Sequence, residues 1–234
     1  MRSRADKVDK ILVIDVGGTH VKVRATGQRE ELKIPSGPTM TASKMVRDVK
    51  RLTKDWEYDA VSIGYPGPVS HGRPFQEPYN IGGGWVSFNF EKAFRCPVQV
   101  INDAAMQALG DYQGGRMLFL GVGTGLGSAM IVDGIVEPME LAHLPYKQGK
   151  TYEDFVGLRG LKRLGKKSWR RQVFEIVSRL KTALQADSVV VGGGNAKKLK
   201  KLPPQCRLGD NTNAFKGGLR LWKKQNVRKK EPKS

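Results

Sequence analysis

The apolar positions of this chain follow two periods, one typical of strands and one typical of helices. Strand-length apolar runs, several of them ended by glycine or proline, occur at residues 10–16, 20–25, 30–35, 60–69, 97–103, 116–134 and 188–192. Apolar residues at helical spacing occupy residues 41–56, 103–112, 168–186 and 213–222. Strands that alternate with helices predict an α/β fold in which helices cover the faces of mixed sheets.

The same local arrangement occurs twice. An apolar strand, a glycine turn and a second apolar strand occupy residues 10–25 and again residues 116–134. This predicts two similar α/β halves rather than a short-period repeat, with a ligand cleft between them. We expect a small N-terminal domain at residues 1–104 that is completed by a C-terminal helix at 213–223, a larger domain at 105–212 and a basic tail at 224–234.

Two local signals refine this prediction. Ser168 is the predicted N-cap of the helix at 168–186. Residues 70–89 are rich in glycine, proline and aromatic residues and lack periodicity. They therefore predict a long loop, and a long loop inside a compact domain is often functional.

Nearly all of the excess positive charge lies in the last third of the chain. The net charge is +19; residues 1–154 hold 19 Lys and Arg against 18 Asp and Glu, whereas residues 155–234 hold 22 against 4. The two parts therefore carry net charges of +1 and +18. Such asymmetry predicts a polyanionic partner, and a basic surface without a specific ligand is the open alternative.

Composition also bears on location. No run of about 18 apolar residues occurs, and the charged N-terminus has no apolar signal region behind it. We therefore expect a cytoplasmic protein with no membrane partner. Cys96 and Cys206 lie far apart without metal-ligand spacing, so we interpret both as reduced thiols.

The first glycine turn follows an acidic residue at the end of a strand, in the stretch D-V-G-G-T. Gly17 and Gly18 allow close backbone approach to a ligand, and consecutive N–H groups form an anion-binding concavity to which the Thr19 hydroxyl adds a donor. Asp15 would then hold a divalent cation, or its water shell, near phosphates. The alternative is an ordinary hairpin with an acid at its end.

Two more glycine turns follow. Residues 121–127, G-V-G-T-G-L-G, lie between apolar strands, so Gly123, Thr124 and Gly125 are suited to bind a transferring phosphoryl group. This stretch does not open a helix, which disfavours a dinucleotide-binding fold, and no Walker motif occurs. The glycines at 192–194 are predicted to open a basic helix whose N-terminus favours anions.

Three further polar residues are candidates for chemistry. Asp103 lies at a strand end that opens a helix, beside Asn102, where a carboxylate can act as general base or simply as a helix N-cap. Glu140 and His143 lie three residues apart, on one face if the segment is helical. They can hydrogen-bond hydroxyl groups, although a histidine beside apolar residues is more often structural.

Taken in order, these motifs resemble the ROK family of sugar kinases. The ordered set is D-V-G-G-T, G-Y-P-G-P-V at 64–69, Asn80 to Trp85, N-D-A at 102–104, G-V-G-T-G-L-G-S-A, E-L-A-H-L at 140–144 and V-V-V-G-G-G at 189–194. The resemblance covers residues 10–222. Within the family it is greatest to the polyphosphate glucokinase group, since N-I-G-G-G-W resembles the sugar loop of that group. The family's cysteine-rich zinc motif and an N-terminal helix-turn-helix are missing, so we expect neither structural zinc nor a repressor.

The resemblance implies a two-lobed actin-like ATPase fold, related to ribonuclease H, with mixed sheets, flanking helices and an interlobe cleft. It implies that Asp103 is the catalytic base, which takes the proton from the sugar 6-hydroxyl. The implied sugar-binding residues are Asn80, Asn102, Asp103, Glu140 and His143. The implied phosphate-binding residues are Asp15, Gly17, Gly18, Thr19, Gly123, Thr124 and Gly125, with Asp15 an indirect ligand of Mg²⁺. In ATP-using relatives adenosine binds at the position matched by Gly192, Gly193 and Gly194.

The charge of the last third bears on the phosphoryl donor. Inorganic polyphosphate is a dense polyanion that a basic groove would bind by releasing counterions, so we expect polyphosphate, alone or together with ATP. The candidate residues are Lys162, Arg163, Lys166, Lys167, Arg170, Arg171, Lys197, Lys198, Lys200 and Lys201. Glucose as the acceptor and a homodimeric state are implied by the resemblance, and mannose or another hexose stays open.

Some features depart from the family pattern. His20 stands where the polyphosphate glucokinase group usually has a small residue, and Ala142 replaces a usual glycine. The identity of the hexose therefore stays open. Two alternative functions also stay open: a strictly ATP-dependent hexose kinase, and an inactive nucleic-acid-binding protein on the same scaffold, which the basic last third would suit. The second is disfavoured because aromatic residues are not interleaved with the basic clusters, apart from Trp169 and Trp222, and no nucleic-acid module is visible.

Overall fold

The computed structural model describes residues 9–210 and 212–223, so the predicted tail at 224–234 lies outside the described residues. The first half contains β1 (Ile11–Val16), β2 (His20–Ala25), β3 (Leu32–Pro35), α1 (Ala42–Leu52), β4 (Ala60–Tyr65), β5 (Val69–Ser70), β6 (Arg73–Pro74), α2 (Phe90–Phe94), β7 (Val98–Asn102) and α3 (Asp103–Asp111). The second half contains β8 (Arg116–Val122), β9 (Leu126–Val132), β10 (Ile135–Met139), β11 (Pro145–Lys147), β12 (Lys150–Thr151), α4 (Tyr152–Val156), α5 (Leu158–Ala183), β13 (Ser188–Gly192), a 3₁₀ turn (Ala196–Lys198), β14 (Cys206–Leu208) and α6 (Asn213–Arg220).

Each half is built on a five-stranded sheet, and the two sheets have the same topology. The strand orders are β3-β2-β1-β4-β7 and β10-β9-β8-β13-β14. In each sheet the first three strands of the half are antiparallel, and the central strand pairs in parallel with the fourth, which pairs in parallel with the fifth. The prediction of two similar halves with mixed sheets is confirmed.

The alternation of side chains along β1 explains how the first sheet is covered on both faces. Leu12 and Ile14 belong to a large apolar core that also contains residues of α1, whereas Ile11 and Val13 pack in a separate cluster with Met106 and Ala214. Because strand side chains alternate between faces, Asp15 lies on the same face as Val13. That face is covered by α3 and α6, so Asp15 points toward the space between the two sheets.

Helices α3 and α6 join the two halves. They pack so closely that a Cβ added at Gly217 would overlap the carbonyl oxygen of Met106. The hydroxyl of Ser62 in β4 donates to the Gly218 carbonyl at 2.7 Å and accepts from the Trp222 indole at 2.8 Å. The predicted closing helix is therefore present as α6 and packs against the first sheet. The exact division into domains stays a prediction.

Two predicted elements differ from the structure. Ser168 is not an N-cap, because α5 begins at Leu158 and continues through residue 168 after an interruption at Gly165 (φ 70°, ψ 160°). The glycine at 165 conceals this continuity in the sequence. The predicted basic helix after residues 192–194 is wrong, since only the 3₁₀ turn forms there and the chain is extended at Leu199. An anion site at the N-terminus of such a helix is thereby excluded.

Among residues 9–210 and 212–223, none of the helices combines the length and the apolar character needed to cross a bilayer.

Candidate functional site

The first glycine turn connects β1 to β2. The Gly17 N–H donates to the His20 carbonyl at 3.0 Å, and a Cβ at Gly17 would lie 3.0 Å from the same oxygen, so the turn requires glycine for its tightness. A Cβ at Gly18 would lie 3.5 Å from the Cβ of Asn80. The structure thus brings the loop that carries Asn80 against this turn, and it leaves Gly18 and Thr19 exposed.

Asp15 is almost buried and lies beside this turn. Its side chain is 13% exposed, and the Lys22 ammonium across the β1–β2 pair lies 3.8 Å from its Oδ2 atom. Burial raises the pKa of Asp15, Lys22 opposes that rise, and Glu31 adds to it. A carboxylate in this environment gains stability from an added cation.

Asp103 is the first residue of α3, and its neighbour caps the helix. The Asn102 side chain accepts a hydrogen bond from the Ala105 N–H at 3.1 Å and donates to the Gly67 carbonyl at 3.1 Å. The alternative in which Asp103 is the N-cap is therefore wrong. One carboxylate oxygen of Asp103 accepts from the Ala104 N–H at 2.8 Å, and no other side chain among the described residues hydrogen-bonds to it.

The pKa of Asp103 is raised to about 7, first by burial and then by the negative charge of Asp15, with a smaller contribution from Glu140. Asp15 from the first half and Glu140 from the second half therefore both lie within electrostatic range of Asp103. A carboxylate with a pKa close to physiological pH is suited to accept a proton from a hydroxyl group.

Glu140 and His143 lie in a turn after β10 rather than in a helix, so the conditional helical placement is wrong. They nevertheless face each other, with 4.0 Å between Glu140 Oε1 and His143 Nε2, and both side chains are about two-thirds exposed, at 67% and 64%. The Ser128 hydroxyl fixes the start of this turn, because it donates to the Met139 carbonyl at 2.9 Å and accepts from the Leu141 N–H at 3.1 Å.

The second glycine turn, between β8 and β9, is supported from two sides. The Asn195 side-chain amide donates to the Gly123 carbonyl at 2.9 Å. On the other side, Glu153 Oε2 accepts from the Leu126 N–H at 3.1 Å and leaves no room for a Cβ at Gly125. Glu153 is not among the site residues predicted from the sequence. The signal was the capping box of Thr151 and Asp154, which marks the start of α4.

The glycines at 192–194 lie directly behind the second turn. Gly193 has φ +84°, and a Cβ there would lie 2.8 Å from the backbone of Val122. The Asn195 side chain also accepts from the Lys198 ammonium at 2.5 Å, and the Lys198 carbonyl accepts from Arg170 Nε at 2.6 Å. A chain of hydrogen bonds therefore links the second turn to the basic surface of α5.

Asp15 and Mg²⁺ are chemically compatible. Mg²⁺ is typically held by one or two carboxylates, waters and substrate phosphates. Asp15 is nearly buried and makes no hydrogen bond within the described residues, so its oxygens are available to such an ion or its waters. The described part of the chain contains no cluster of three His, Cys, Asp or Glu residues suited to hold a metal by themselves.

A cavity of about 590 Å³ lies elsewhere, at the outer edge of β7 between the β5–β6 hairpin and α2. Its lining includes His71, Glu91 and Gln99 but none of the predicted site residues. The candidate site is instead the open space between the two glycine turns and the start of α3.

Comparison with known proteins gives one consistent result. A model described as the ROK family matches residues 11–137. Polyphosphate glucokinase of Mycobacterium tuberculosis is 26% identical over 217 residues, which cover 82% of this chain and 80% of that protein.

Solved structures agree on the fold. The inorganic polyphosphate/ATP-glucomannokinase of an Arthrobacter species superposes with a TM-score of 0.78 at 22% identity, covering 91% of this chain and 98% of that one. A ROK family glucokinase of Streptomyces griseus, solved with glucose and AMPPNP, gives 0.73 at 18% identity with coverages of 91% and 98%. The chain therefore belongs to the ROK family and has the mixed α/β, actin-like ATPase fold of the ROK sugar kinases.

Proposed function

We propose that this protein is a hexose kinase that transfers a phosphoryl group from inorganic polyphosphate, with ATP as a second donor, to the 6-hydroxyl of glucose. The observation that carries the proposal is the position of Asp103 at the start of α3, with a pKa raised to about 7 and with Asp15 of the first turn within electrostatic range. The relatives named as polyphosphate glucokinase and glucomannokinase support the same substrate classes.

In this proposal Asp103 accepts the proton of the sugar 6-hydroxyl while that oxygen attacks the terminal phosphorus atom of the donor. The bond from phosphorus to the bridging oxygen breaks, and the shortened donor leaves. Such a reaction needs positioning and charge stabilisation more than covalent help from the protein. Asn102, Glu140 and His143, with Asn80 from its loop, orient the sugar hydroxyls.

The two glycine turns divide the donor between them. Gly17, Gly18 and Thr19 bind the phosphoryl group that is transferred, and Gly123 with Thr124 and Gly125 bind the next phosphate. Bound Mg²⁺ would neutralise charge on these phosphates, and Asp15 is the residue that we assign to hold it through water. Closure of the two halves would exclude water as a competing acceptor.

Polyphosphate is favoured as donor by the surface that continues from the second turn. The hydrogen-bonded path through Asn195, Lys198 and Arg170 leads from Gly123 to the basic residues of α5. Lys197, Lys200 and Lys201 are exposed beside this path. A continuous basic surface suits a long polyanion, whereas a nucleotide occupies only its first part.

A coupled assay for glucose 6-phosphate, run with polyphosphate and with ATP, tests the proposal. We expect turnover with both donors and a steep loss of the polyphosphate reaction as salt increases. The double variant Lys200→Gln/Lys201→Gln should raise the KM for long polyphosphate about tenfold. The matched control Lys50→Gln/Lys54→Gln removes two charges from the first half and should leave this KM unchanged.

Three results would contradict the proposal. Turnover with ATP alone would favour the strictly ATP-dependent kinase. Salt-sensitive binding of single-stranded nucleic acid without sugar phosphorylation would favour the inactive binding protein. Mannose phosphorylated faster than glucose would change the assigned acceptor.

A further inference from the structure

The cavity at the outer edge of β7 lies outside the candidate site and has the size of a ligand pocket. Its volume is about 590 Å³, and it lies between the β5–β6 hairpin and the segment 86–91 that enters α2. Pockets that hold small organic molecules have volumes of roughly 300 to 1,000 Å³. None of the residues assigned to the donor or to the sugar lines this cavity. A ligand bound there would therefore be additional to the substrates.

The floor of the cavity is a strand edge with unused backbone groups. β7 is the last strand of its sheet and pairs with β4 alone. The Val61 N–H donates to the Pro97 carbonyl at 3.0 Å, and alternate residues of a parallel strand bond to the same neighbour. The backbone groups of Val98 and Val100 therefore face the cavity, and within the described residues they have no hydrogen-bond partner. Val100 is only 8% exposed, and backbone groups so deeply placed are normally paired, so the floor offers donors and acceptors to a ligand.

The two walls carry opposite charges. Arg73 of the hairpin is exposed, and among the residues that the structure describes its guanidinium has neither a hydrogen-bond nor an ion-pair partner. His71 beside it uses Nδ1 in a hydrogen bond of 2.9 Å with the Ser70 hydroxyl. On the side of α2, the exposed Glu91 carboxylate accepts no hydrogen bond from the described part of the chain. The cavity thus presents cations at one side and an anion at the other.

These groups fit a hexose phosphate. A guanidinium beside an imidazole suits a phosphate group, because arginine forms paired hydrogen bonds to phosphate oxygens. Glu91, the Gln99 amide and the unused backbone groups of β7 can bind several hydroxyl groups. The half-buried Phe88 ring also lines the cavity and offers an apolar surface to the carbon atoms of a sugar ring.

The floor and both walls continue into residues that we assign to the sugar. β7 ends at Asn102. The Glu77 carboxylate accepts from the Trp85 N–H at 3.1 Å and from the Val86 N–H at 3.2 Å, which closes the base of the loop that carries Asn80. Val86 itself lines the cavity, as does the hairpin that precedes the loop. A ligand in the cavity would therefore contact the chain on both sides of this loop and restrain it.

We propose that this cavity is a second binding site, specific for a hexose phosphate, and that its occupancy restrains the loop that carries Asn80. Arg73 and His71 bind the phosphate group, whereas Glu91, Gln99 and the edge of β7 bind the hydroxyl groups. The binding site is independent of the proposed function. Its consequence rests on that function, since the kinase would be inhibited by a phosphorylated sugar of the kind that its reaction releases.

Calorimetric titration with glucose 6-phosphate in the presence of saturating glucose tests the site. Glucose occupies the proposed acceptor site, so the binding that remains reports the cavity. We expect Arg73→Met to weaken this binding about tenfold, as the loss of a charge-assisted hydrogen bond would do. Arg95→Met is the matched control, because Arg95 is exposed at the end of α2 and does not line the cavity, and it should bind like the wild type. Inorganic phosphate should bind about tenfold more weakly than glucose 6-phosphate, since it cannot reach the hydroxyl-binding groups as well.

Four outcomes of the titration overturn the assignment. They are no binding of glucose 6-phosphate in the presence of glucose, wild-type affinity in Arg73→Met, an equal loss in Arg95→Met, and inorganic phosphate that binds as tightly as the sugar phosphate. Thermal melting of both variants shows that they are folded.

Phosphorylation of labelled glucose separates this inference from the proposed function. At saturating glucose, added glucose 6-phosphate should lower the kcat of the wild type, and Arg73→Met should need about tenfold more of it for the same inhibition, in step with its weaker binding. If the wild type phosphorylates glucose and its kcat does not respond to glucose 6-phosphate, the link between cavity and loop fails. If glucose 6-phosphate binds through Arg73 but no hexose is phosphorylated, only the proposed function fails.

Discussion

The hairpins that begin the two halves have the same strand pairing but carry different side chains beside their turns. The first hairpin places Asp15 opposite Lys22, one pair before its turn, whereas the second places Gly121 opposite Gly127 at the same point. The first therefore carries an ionic pair and the second carries no side chain at all. Both turns can present N–H groups to an anion, but only the first also offers a carboxylate and an ammonium group.

We interpret this difference as two different roles for the glycine turns of the two similar halves. Under the proposed function, the ionisable groups of the first turn would act on the phosphate that reacts. The bare glycines of the second turn would let the next phosphate approach the backbone, and the basic surface behind it would suit a long anion. Residues 155–234 have a net charge of +18 and residues 1–154 have only +1.

The largest effect should come from Asp103→Asn. We expect kcat to fall about 10³-fold, because an amide cannot accept the hydroxyl proton, whereas the fold should persist because Asn also accepts from the Ala104 N–H. Asp133→Asn, an exposed turn residue of the second half, is the control and should retain full activity. Turnover by Asp103→Asn at the wild-type rate would show that Asp103 is not the general base.

The next effect concerns the packing that couples the halves. Gly217→Ala would force a methyl group into the Met106 carbonyl, so we expect a loss of about 3 kcal/mol in the free energy of unfolding, measured by urea denaturation. Gly194→Ala meets nothing within 4 Å and should unfold like the wild type. An unchanged midpoint for Gly217→Ala would show that α6 does not pack against α3 as closely as described.

The second turn can be tested by two alanine substitutions that differ in their surroundings. Nothing lies within 4 Å of a Cβ at Gly123, so Gly123→Ala should keep its melting temperature and raise the KM for the donor about tenfold, because the methyl group blocks close approach of phosphate. Gly125→Ala should lower stability as well, because its methyl group displaces the Glu153 carboxylate. An unchanged donor KM in Gly123→Ala would contradict a phosphate site at this turn.

The pH dependence of stability gives the smallest effect. The pKa of Asp103 is about 7 in the folded protein against 3.8 ordinarily, so the folded state keeps a proton that the unfolded state has lost between these values. The contribution of Asp103 to stability therefore falls as pH rises from about 4 to about 7. Asp103→Asn should match the wild type near pH 4 and melt at a higher temperature than the wild type at pH 8.

The same carboxyl predicts the pH profile of catalysis. The kcat/KM of the wild type should rise through pH 7 as Asp103 ionises, because that parameter reports the pKa of the free enzyme. The control variant Asp133→Asn should show the same rise of kcat/KM through pH 7. Two results would show that burial does not raise the pKa of Asp103. One is a difference in melting temperature between Asp103→Asn and the wild type that does not change with pH, and the other is a rise of kcat/KM near pH 4.

The apolar periodicity of the sequence did not predict the shortest helices and strands. Helices α2 and α4 contain five residues each, and β11 and β12 contain three and two. Such lengths are below one period of a reliable apolar pattern. The early start of α5 was missed for a different reason, since Gly165 has a non-helical conformation (φ 70°, ψ 160°) and kinks the helix between its two parts.

Parts of the candidate site also required the structure. The pair Asn102–Asp103 offered two possible caps, and only the hydrogen bonds show that Asn102 caps α3 while Asp103 accepts from the Ala104 N–H. The spacing of Glu140 and His143 places them on one face only if the segment is helical, and in the structure they meet in a turn. The capping box at the start of α4 marks a helix beginning beside Glu153, but only the structure shows that Glu153 reaches the second turn.

Local patterns in the sequence determined the two strand–turn–strand units, the glycine turns and the uneven charge, because periodicity and turn chemistry act between neighbouring residues. The ordered motifs also determined the family. Tertiary structure decided which groups share one electrostatic environment. Asp15 and Asp103 are far apart in sequence, and their raised pKa values depend on burial and on charges that only the assembled sheets and helices bring near. The position of Lys22 beside Asp15 likewise depends on the register of β1 with β2.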